Sequence, residues 1–177
     1  IEKNLEKAEE VVEYDKMFEK LCESLLSLHI DFDYGDEEIL SRWAEIKKGK
    51  ETKIKVNKAE YKAVLVPPLW TIRSSTLNLL KEFKKEGGEV IFIKNFPEYI
   101  DGEKTNFDFS SIFDIGENVE DGLKKIEKKV RRISILDEKG KVIQPTLYLL
   151  REDDDFYYLF LCNTATTWEK EKFPPVI

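Results

Sequence analysis

Apolar side chains recur at three- and four-residue steps from the start of the chain, which predicts one amphipathic helix over about Glu2 to Leu28. The positions expected to face inward are Leu5, Ala8, Val12, Phe18, Leu21, Leu25 and Leu28. Ile30 to Tyr34 then alternates apolar and acidic residues, a pattern typical of a strand with one buried face. Asp36 is placed to cap a short helix over Glu37 to Ile46.

The middle of the chain predicts a βαβ unit. Its parts are a strand over Tyr61 to Val66, a stop at Pro67-Pro68, a helix capped by Ser74 or Ser75, a helix end at Gly87-Gly88 and a strand over Glu89 to Ile93. Both strands are almost wholly apolar, as strands buried on two faces are, and the crossover helix requires them to be parallel. Ile54 and Val56 indicate a short edge strand before this unit.

The last third changes character. Residues 96–114 are rich in turn-forming residues and predict a loop with one short strand near Ile112, and a helix is expected over Val119 to Val130. Three β-like runs follow, Ile133 to Leu136, Thr146 to Arg151 and Phe156 to Asn163, which predict an antiparallel meander. We therefore expect an α/β domain over residues 1–130 and an antiparallel β meander over residues 131–177.

Charge and composition exclude several classes of protein. The net charge of -7, from 29 basic and 36 acidic residues, disfavours nucleic acid and anionic lipid as partners. No apolar run approaches the roughly 18 residues of a membrane-spanning helix. Cys22 and Cys162 do not make a disulfide framework, so we expect two buried free thiols and a cytoplasmic protein. The chain begins at Ile1 without a methionine, and we expect it to be a fragment of a longer bacterial protein.

Candidate chemistry is sparse. His29 is the single histidine, and pairing it with Cys22 or Ser27 would place nucleophile and base on one helix or its end, without the sharp turn that exposes a nucleophile. Pro67-Pro68 stands where a phosphate-binding loop would need glycines. No cofactor and no catalytic residue is predicted.

Two further groups of residues are candidate sites. Acidic residues cluster at Asp31, Asp33, Asp36, Glu37 and Glu38, but they lack the spacing of a calcium loop and are expected to be helix caps and surface charges, so no metal is predicted. Possible contacts for a ligand or a neighbouring domain are Trp70, Trp43 and Trp168. Trp70 follows a buried strand at the sheet edge where open α/β folds bind ligands, although a lid over the core is the simpler interpretation.

Three segments carry a resemblance to a known family. The strand at Tyr61 to Pro67, the helix from Leu77 to Phe83 and the Gly87-to-Phe92 strand together resemble the trimerisation domain of family 42 β-galactosidases and of related large bacterial glycoside hydrolases. Leu28 to Tyr34 resembles that domain's second strand, and Leu147 to Thr164 resembles the start of the β-sandwich that follows it. The resemblance implies a three-layer, flavodoxin-like or amidotransferase-like parallel sheet without a working cysteine.

The resemblance implies a non-catalytic accessory or oligomerisation domain. Its expected partners are the catalytic barrel and the β-sandwich of its parent chain, with a possible homo-oligomer. The family's first strand would precede Ile1, which predicts a gap in the sheet or a groove that a neighbouring chain fills. Two alternatives stay open: a carbohydrate-binding module using the tryptophans, and an amidotransferase-like hydrolase using Cys22.

Overall fold

The computed structural model describes residues 9–144 and 146–164. Its helices are α1 (Glu9–Ser27), α2 (Glu37–Trp43), α3 (Ser74–Lys85) and α4 (Val119–Val130), with a 3₁₀ turn at Phe109–Ser111. Its strands are β1 (Ala44–Lys47), β2 (Lys53–Val56), β3 (Ala59–Tyr61), β4 (Ala63–Val66), β5 (Thr71–Ile72), β6 (Glu89–Ile93), β7 (Tyr99–Ile100), β8 (Glu103–Lys104), β9 (Asp114–Gly116), β10 (Thr146–Glu152) and β11 (Tyr157–Asn163). In this described part, no helix is both long and apolar enough to cross a bilayer.

A parallel sheet of order β4-β6-β9 forms the centre of the molecule. The β4–α3–β6 unit is the predicted βαβ unit, and its strands are parallel as expected. Side chains of β6 alternate between two buried clusters, because successive residues of a strand point to opposite faces. Val90 and Phe92 join α3, whereas Ile93 joins α1 and α4. The sheet therefore lies between helical layers, and the predicted α/β class is confirmed.

The face that α1 buries differs from the prediction. Val12 and Phe18 were expected to point inward, but they are 39% and 43% exposed. Leu21 and Leu25 are buried, and the stripe continues towards the N-terminus through the half-buried Val11, Tyr14 and Met17. These positions repeat at three- and four-residue steps, so the helix is rotated slightly relative to the predicted one.

Helix α3 ends as predicted and begins differently. Its end has Gly87 at φ +87°, and Gly88 N–H donates to the Phe83 carbonyl at 2.8 Å, which is the arrangement of a glycine C-cap. At its start neither serine is the cap; Arg73 occupies that position without a side-chain cap. The Asp101 carboxylate instead accepts from Ser74 N–H at 2.9 Å, so a distant loop caps this helix.

A small antiparallel sheet of order β1-β2-β3 lies before the parallel sheet. The helix predicted over Glu37 to Ile46 ends at Trp43, because Ala44 to Lys47 pairs with β2. The segment with Ile54 and Val56 is a strand, as expected, but it is the middle one and not an edge.

Two predicted strands do not form. Residues 30–34 have no ladder partner among the described residues, although Ile30 is buried and Phe32 packs beside it. Residues 133–136 make only one isolated bridge, from Leu136 to Val142. Within the described residues, the C-terminal β structure is therefore a two-stranded hairpin, β10–β11, rather than the predicted three-stranded meander.

Candidate functional site

A cleft of about 410 Å³ lies at the carboxyl ends of β4 and β6. Open α/β sheets usually bind ligands at this edge. The cleft is lined by Glu13, Tyr14, Met17, Trp70, Asn95, Phe96 and Glu98. One wall is α1, and the other walls are the connections that follow β4 and β6.

Backbone hydrogen bonds fix the position of Trp70. Its carbonyl accepts from Glu98 N–H at 3.1 Å and from Tyr99 N–H at 3.3 Å. The next two residues form β5, which pairs in parallel with β7. Pro67-Pro68 holds the preceding connection in an extended form, because proline restricts its own φ and the residue before it.

The aromatic rings of the cleft are stacked in pairs. The Tyr14 and Trp70 rings are nearly parallel, at 19°, with centroids 6.0 Å apart, and Trp70 remains 43% exposed. Phe96 stacks on Phe109 at 5.6 Å and 28°, which ties it to the core under α3. The rings are therefore stacked in pairs and do not converge on one point, and the exposed part of Trp70 is an aromatic surface in a lining that is otherwise mainly polar.

The polar lining is negative. Glu13 and Glu98 are both exposed, and among the described residues neither forms an ion pair. Among the residues that the structure describes, no lysine or arginine lines the cleft, and nearby Lys94 is paired with Glu117. Asn95 adds an amide that both donates and accepts hydrogen bonds.

Of the three predicted tryptophans, only Trp70 is found at this cleft. Trp43 ends α2, is 63% exposed and does not line the cleft, and Trp168 lies outside the described residues. Sequence reasoning missed Tyr14 and Met17 because it assigned a different inward face to α1. The helical spacing could have identified them, because Met17 lies four residues before Leu21 and Tyr14 lies three residues before Met17.

His29 is a structural residue. It is 1% exposed, its Nε2 donates to the Ile143 carbonyl at 3.2 Å, and its Nδ1 faces Ile135 N–H at 3.5 Å. Burial lowers the pKa of His29 below its ordinary value, with Arg131 adding to the effect, so the ring is neutral. Its two nitrogens are directed at backbone groups, which leaves none to activate a nucleophile.

The thiols differ in their surroundings. Cys22 is half-buried, and its Sγ lies 3.2 Å from the Tyr34 hydroxyl. Cys162 is exposed, so the expectation of two buried thiols is wrong for that residue. Every residue of its strand, β11, is exposed, so both faces of this strand are open to solvent.

The acidic group near α2 is used for structure. The Asp36 carboxylate accepts from Ile39 N–H at 2.8 Å as the predicted cap. A hydrogen bond from Arg73, and to a smaller extent one from Arg42, lowers the pKa of Glu38. Within residues 9–144 and 146–164, no three side chains are gathered as ligands for a metal ion.

The hairpin has an apolar face that no described residue covers. Leu147, Leu149, Tyr158, Phe160 and Cys162 share one side of the two paired strands, and we call this side the outer face. Arg151, the cross-strand partner of Tyr158, lies at the turn end of the same side. Leu147 is 39% exposed and Phe160 is 66% exposed. The opposite side carries Tyr148, whose hydroxyl donates to the His29 carbonyl at 3.1 Å and so attaches the hairpin to the rest of the chain.

No family model matches this chain. No curated protein matches it either. Among solved structures, the chain is similar to the apo exo-carrageenase GH42 from Bacteroides ovatus, with a TM-score of 0.49 and 13% sequence identity over 84% of this chain. The chain spans about a fifth of that protein, since the alignment covers 20% of it.

Proposed function

We propose that this chain is a non-catalytic accessory module of a larger glycoside hydrolase, and that the outer face of its hairpin packs against a neighbouring domain. The outer face is the observation that supports the proposal. Five apolar side chains are exposed together on it, whereas single exposed apolar residues are ordinary on protein surfaces.

The energetics of the hairpin favour a covering partner. A two-stranded hairpin is marginal in water without a surface to pack on. The strand Tyr157–Asn163 carries no charge, and it is exposed along its whole length. Covering such a strand would bury apolar area worth roughly 25 cal/mol per Å² and would protect an unpaired strand edge.

The glycoside hydrolase class of the parent is inferred from the resemblance of the βαβ segment and the hairpin to the family 42 trimerisation domain and the sandwich that follows it. The non-catalytic role is supported by two features of the sheet edge. Pro67-Pro68 follows β4 where a hydrolase of this sheet type would carry its reactive group, and His29 is buried and bonded to backbone.

The outer face is tested with the double variant Leu149→Lys/Phe160→Lys. The unaltered chain should self-associate with concentration in sedimentation velocity and should bind a hydrophobic dye, and the double variant should do neither while keeping its thermal midpoint. Ile39→Lys is the matched control, because Ile39 is also about half exposed, at 51%, but lies on α2.

Binding to the parent protein gives the direct readout. The remainder of the parent polypeptide, produced separately, should retain the unaltered chain and the Ile39→Lys control but not the double variant. Equal retention of all three would contradict the proposed docking surface.

Glycosidase activity provides a second test of the proposal. The purified chain should cleave no nitrophenyl glycoside, and its Cys22→Ser variant should behave identically. Turnover that follows the protein through purification would overturn the non-catalytic role.

A further inference from the structure

We propose that the cleft at Trp70 is a binding site for neutral oligosaccharides, with one pyranose ring stacked on the exposed indole face. This inference goes beyond the accessory role and does not depend on the hairpin. The volume of the cleft, about 410 Å³, falls within the range of roughly 300–1,000 Å³ that is usual for small-molecule sites.

The ring geometry selects the shape of the ligand. A cage for a cationic amine needs several aromatic faces directed at one point. Here Tyr14 and Trp70 lie nearly parallel to each other, and Phe96 is stacked on Phe109. Because Tyr14 is stacked on Trp70, these two rings do not converge on a ligand. The exposed part of the indole offers a single aromatic surface, which suits the apolar C–H face of a pyranose ring.

Polar side chains line the same cleft as the Trp70 indole. Glu13 and Glu98 are carboxylates without ion-pair partners among the described residues, so each can accept two hydroxyl hydrogen bonds. Asn95 supplies both a donor and an acceptor. A pyranose presents several hydroxyls around its ring edge, and each of them can donate or accept a hydrogen bond with side chains of these types.

Charge selects against acidic sugars. The described part of the lining holds two carboxylates and no lysine or arginine, so a sulfate or uronate group would meet repulsion there without a compensating cation. The cleft should therefore discriminate between neutral and anionic oligosaccharides of the same length.

Indole N–H resonances provide the test, because the chain has three tryptophans and gives at most three such cross-peaks. Neutral hexasaccharides of glucose, galactose, mannose or xylose are titrated to millimolar concentration, and at least one should shift the Trp70 cross-peak while leaving that of Trp43 unchanged. Trp70→Ala should weaken this binding about tenfold or more, since the loss of aromatic stacking is involved. Trp43→Ala is the matched control and should bind normally.

Charge selectivity is tested with hexagalacturonate against the galactose hexamer. The unaltered chain should bind the acidic sugar at least about tenfold more weakly than the neutral one. The double variant Glu13→Gln/Glu98→Gln should reduce the ratio of the two dissociation constants. These isosteric changes leave Tyr14 and Trp70 unaltered. The comparison of acidic and neutral sugars therefore still tests the proposal if Trp70→Ala disturbs folding.

Three results would overturn the proposal. One is the absence of a Trp70 shift with every neutral hexasaccharide. Another is binding that Trp70→Ala leaves unchanged. The third is a preference for the glucosamine hexamer or for adenosine, which would assign the cleft to a cation or to a flat heterocycle. None of these results bears on the docking experiments with the outer face.

Discussion

At the scale of single residues, His29 connects two distant parts of the chain. Its backbone is left-handed, at φ 54°, and its ring and carbonyl together contact Ile135, Ile143 and Tyr148. The end of α1 is thereby joined to the segment that leads into β10. Burial also raises the pKa of Tyr148, with the nearby charge of Asp31 adding to the effect, so the phenol stays protonated as a donor.

The depressed pKa of His29 predicts a pH-dependent stability. The unfolded chain takes up a proton near pH 6.5 while the folded chain resists it, so stability is complete above that value and falls as the pH drops below it. Urea unfolding from about pH 7.5 to about pH 5.5, above the range of ordinary carboxylates, should show this decline. His29→Asn, which tolerates a left-handed backbone, should flatten the slope, and parallel curves would contradict the prediction.

At the scale of elements, α4 approaches the parallel sheet through two glycines. A Cβ on Gly116, at the end of β9, would lie 2.7 Å from the Gly122 Cα. A Cβ on Gly122 would meet side chains of Ile93 and Leu65 at 3.4 Å and 3.5 Å, which is ordinary contact. The first glycine is required by close packing, whereas the second is not.

This difference predicts opposite effects from the same substitution. Gly116→Ala should lower the free energy of unfolding by about 1–3 kcal/mol, because backbone must move. Gly122→Ala should leave it unchanged or raise it by about 0.5–1 kcal/mol, because alanine favours the helix. Chemical denaturation of the two variants measures this, and an equal loss in both would refute the assigned packing.

The elements that sequence predicted well are those whose signals are local. Helix α4 has the predicted bounds Val119–Val130, and β6 has the predicted bounds Glu89–Ile93. Residues 30–34 have the alternation of a strand, but a strand requires a partner that periodicity does not reveal. Likewise, Ala44 to Ile46 were predicted to end a helix, but they belong to β1 because they pair with β2.

The candidate site was predictable only in part. Trp70 was singled out because it follows a buried strand at the edge where such sheets bind ligands. Glu13 and Glu98 carry no local pattern that distinguishes them from the other acidic residues. Their proximity depends on how α1 crosses the sheet, which is a matter of tertiary packing.

At the scale of the whole molecule, buried packing is unevenly distributed. The two core clusters lie on either side of the parallel sheet and contain β6 and parts of α1, α3 and α4. Among the described residues, β4 is an edge strand of the parallel sheet. The hairpin has few buried side chains beyond Thr146. Stability should therefore differ between the sheet and the hairpin.

Native-state hydrogen exchange should reveal this difference. The bonded amides of β6 should exchange only through global unfolding, at roughly 5–15 kcal/mol. Those of β11 should open at a free energy lower by about 2 kcal/mol or more, since β10 is the one strand that pairs with β11 among the described residues. Equal protection in both strands would show that the hairpin unfolds together with the core.

The backbone bonds that hold Trp70 have a consequence for how the cleft could change. The loop is fixed by a carbonyl that accepts two amide hydrogens, and no described hydrogen bond or ion pair uses the side chains of Asn95 or Glu98. Reversing charge at Glu98 should therefore redirect ligand preference without loosening the scaffold. Backbone atoms hold the loop in place, whereas side-chain atoms determine which ligand binds. This edge of the sheet is therefore a suitable place for directed evolution of ligand selectivity.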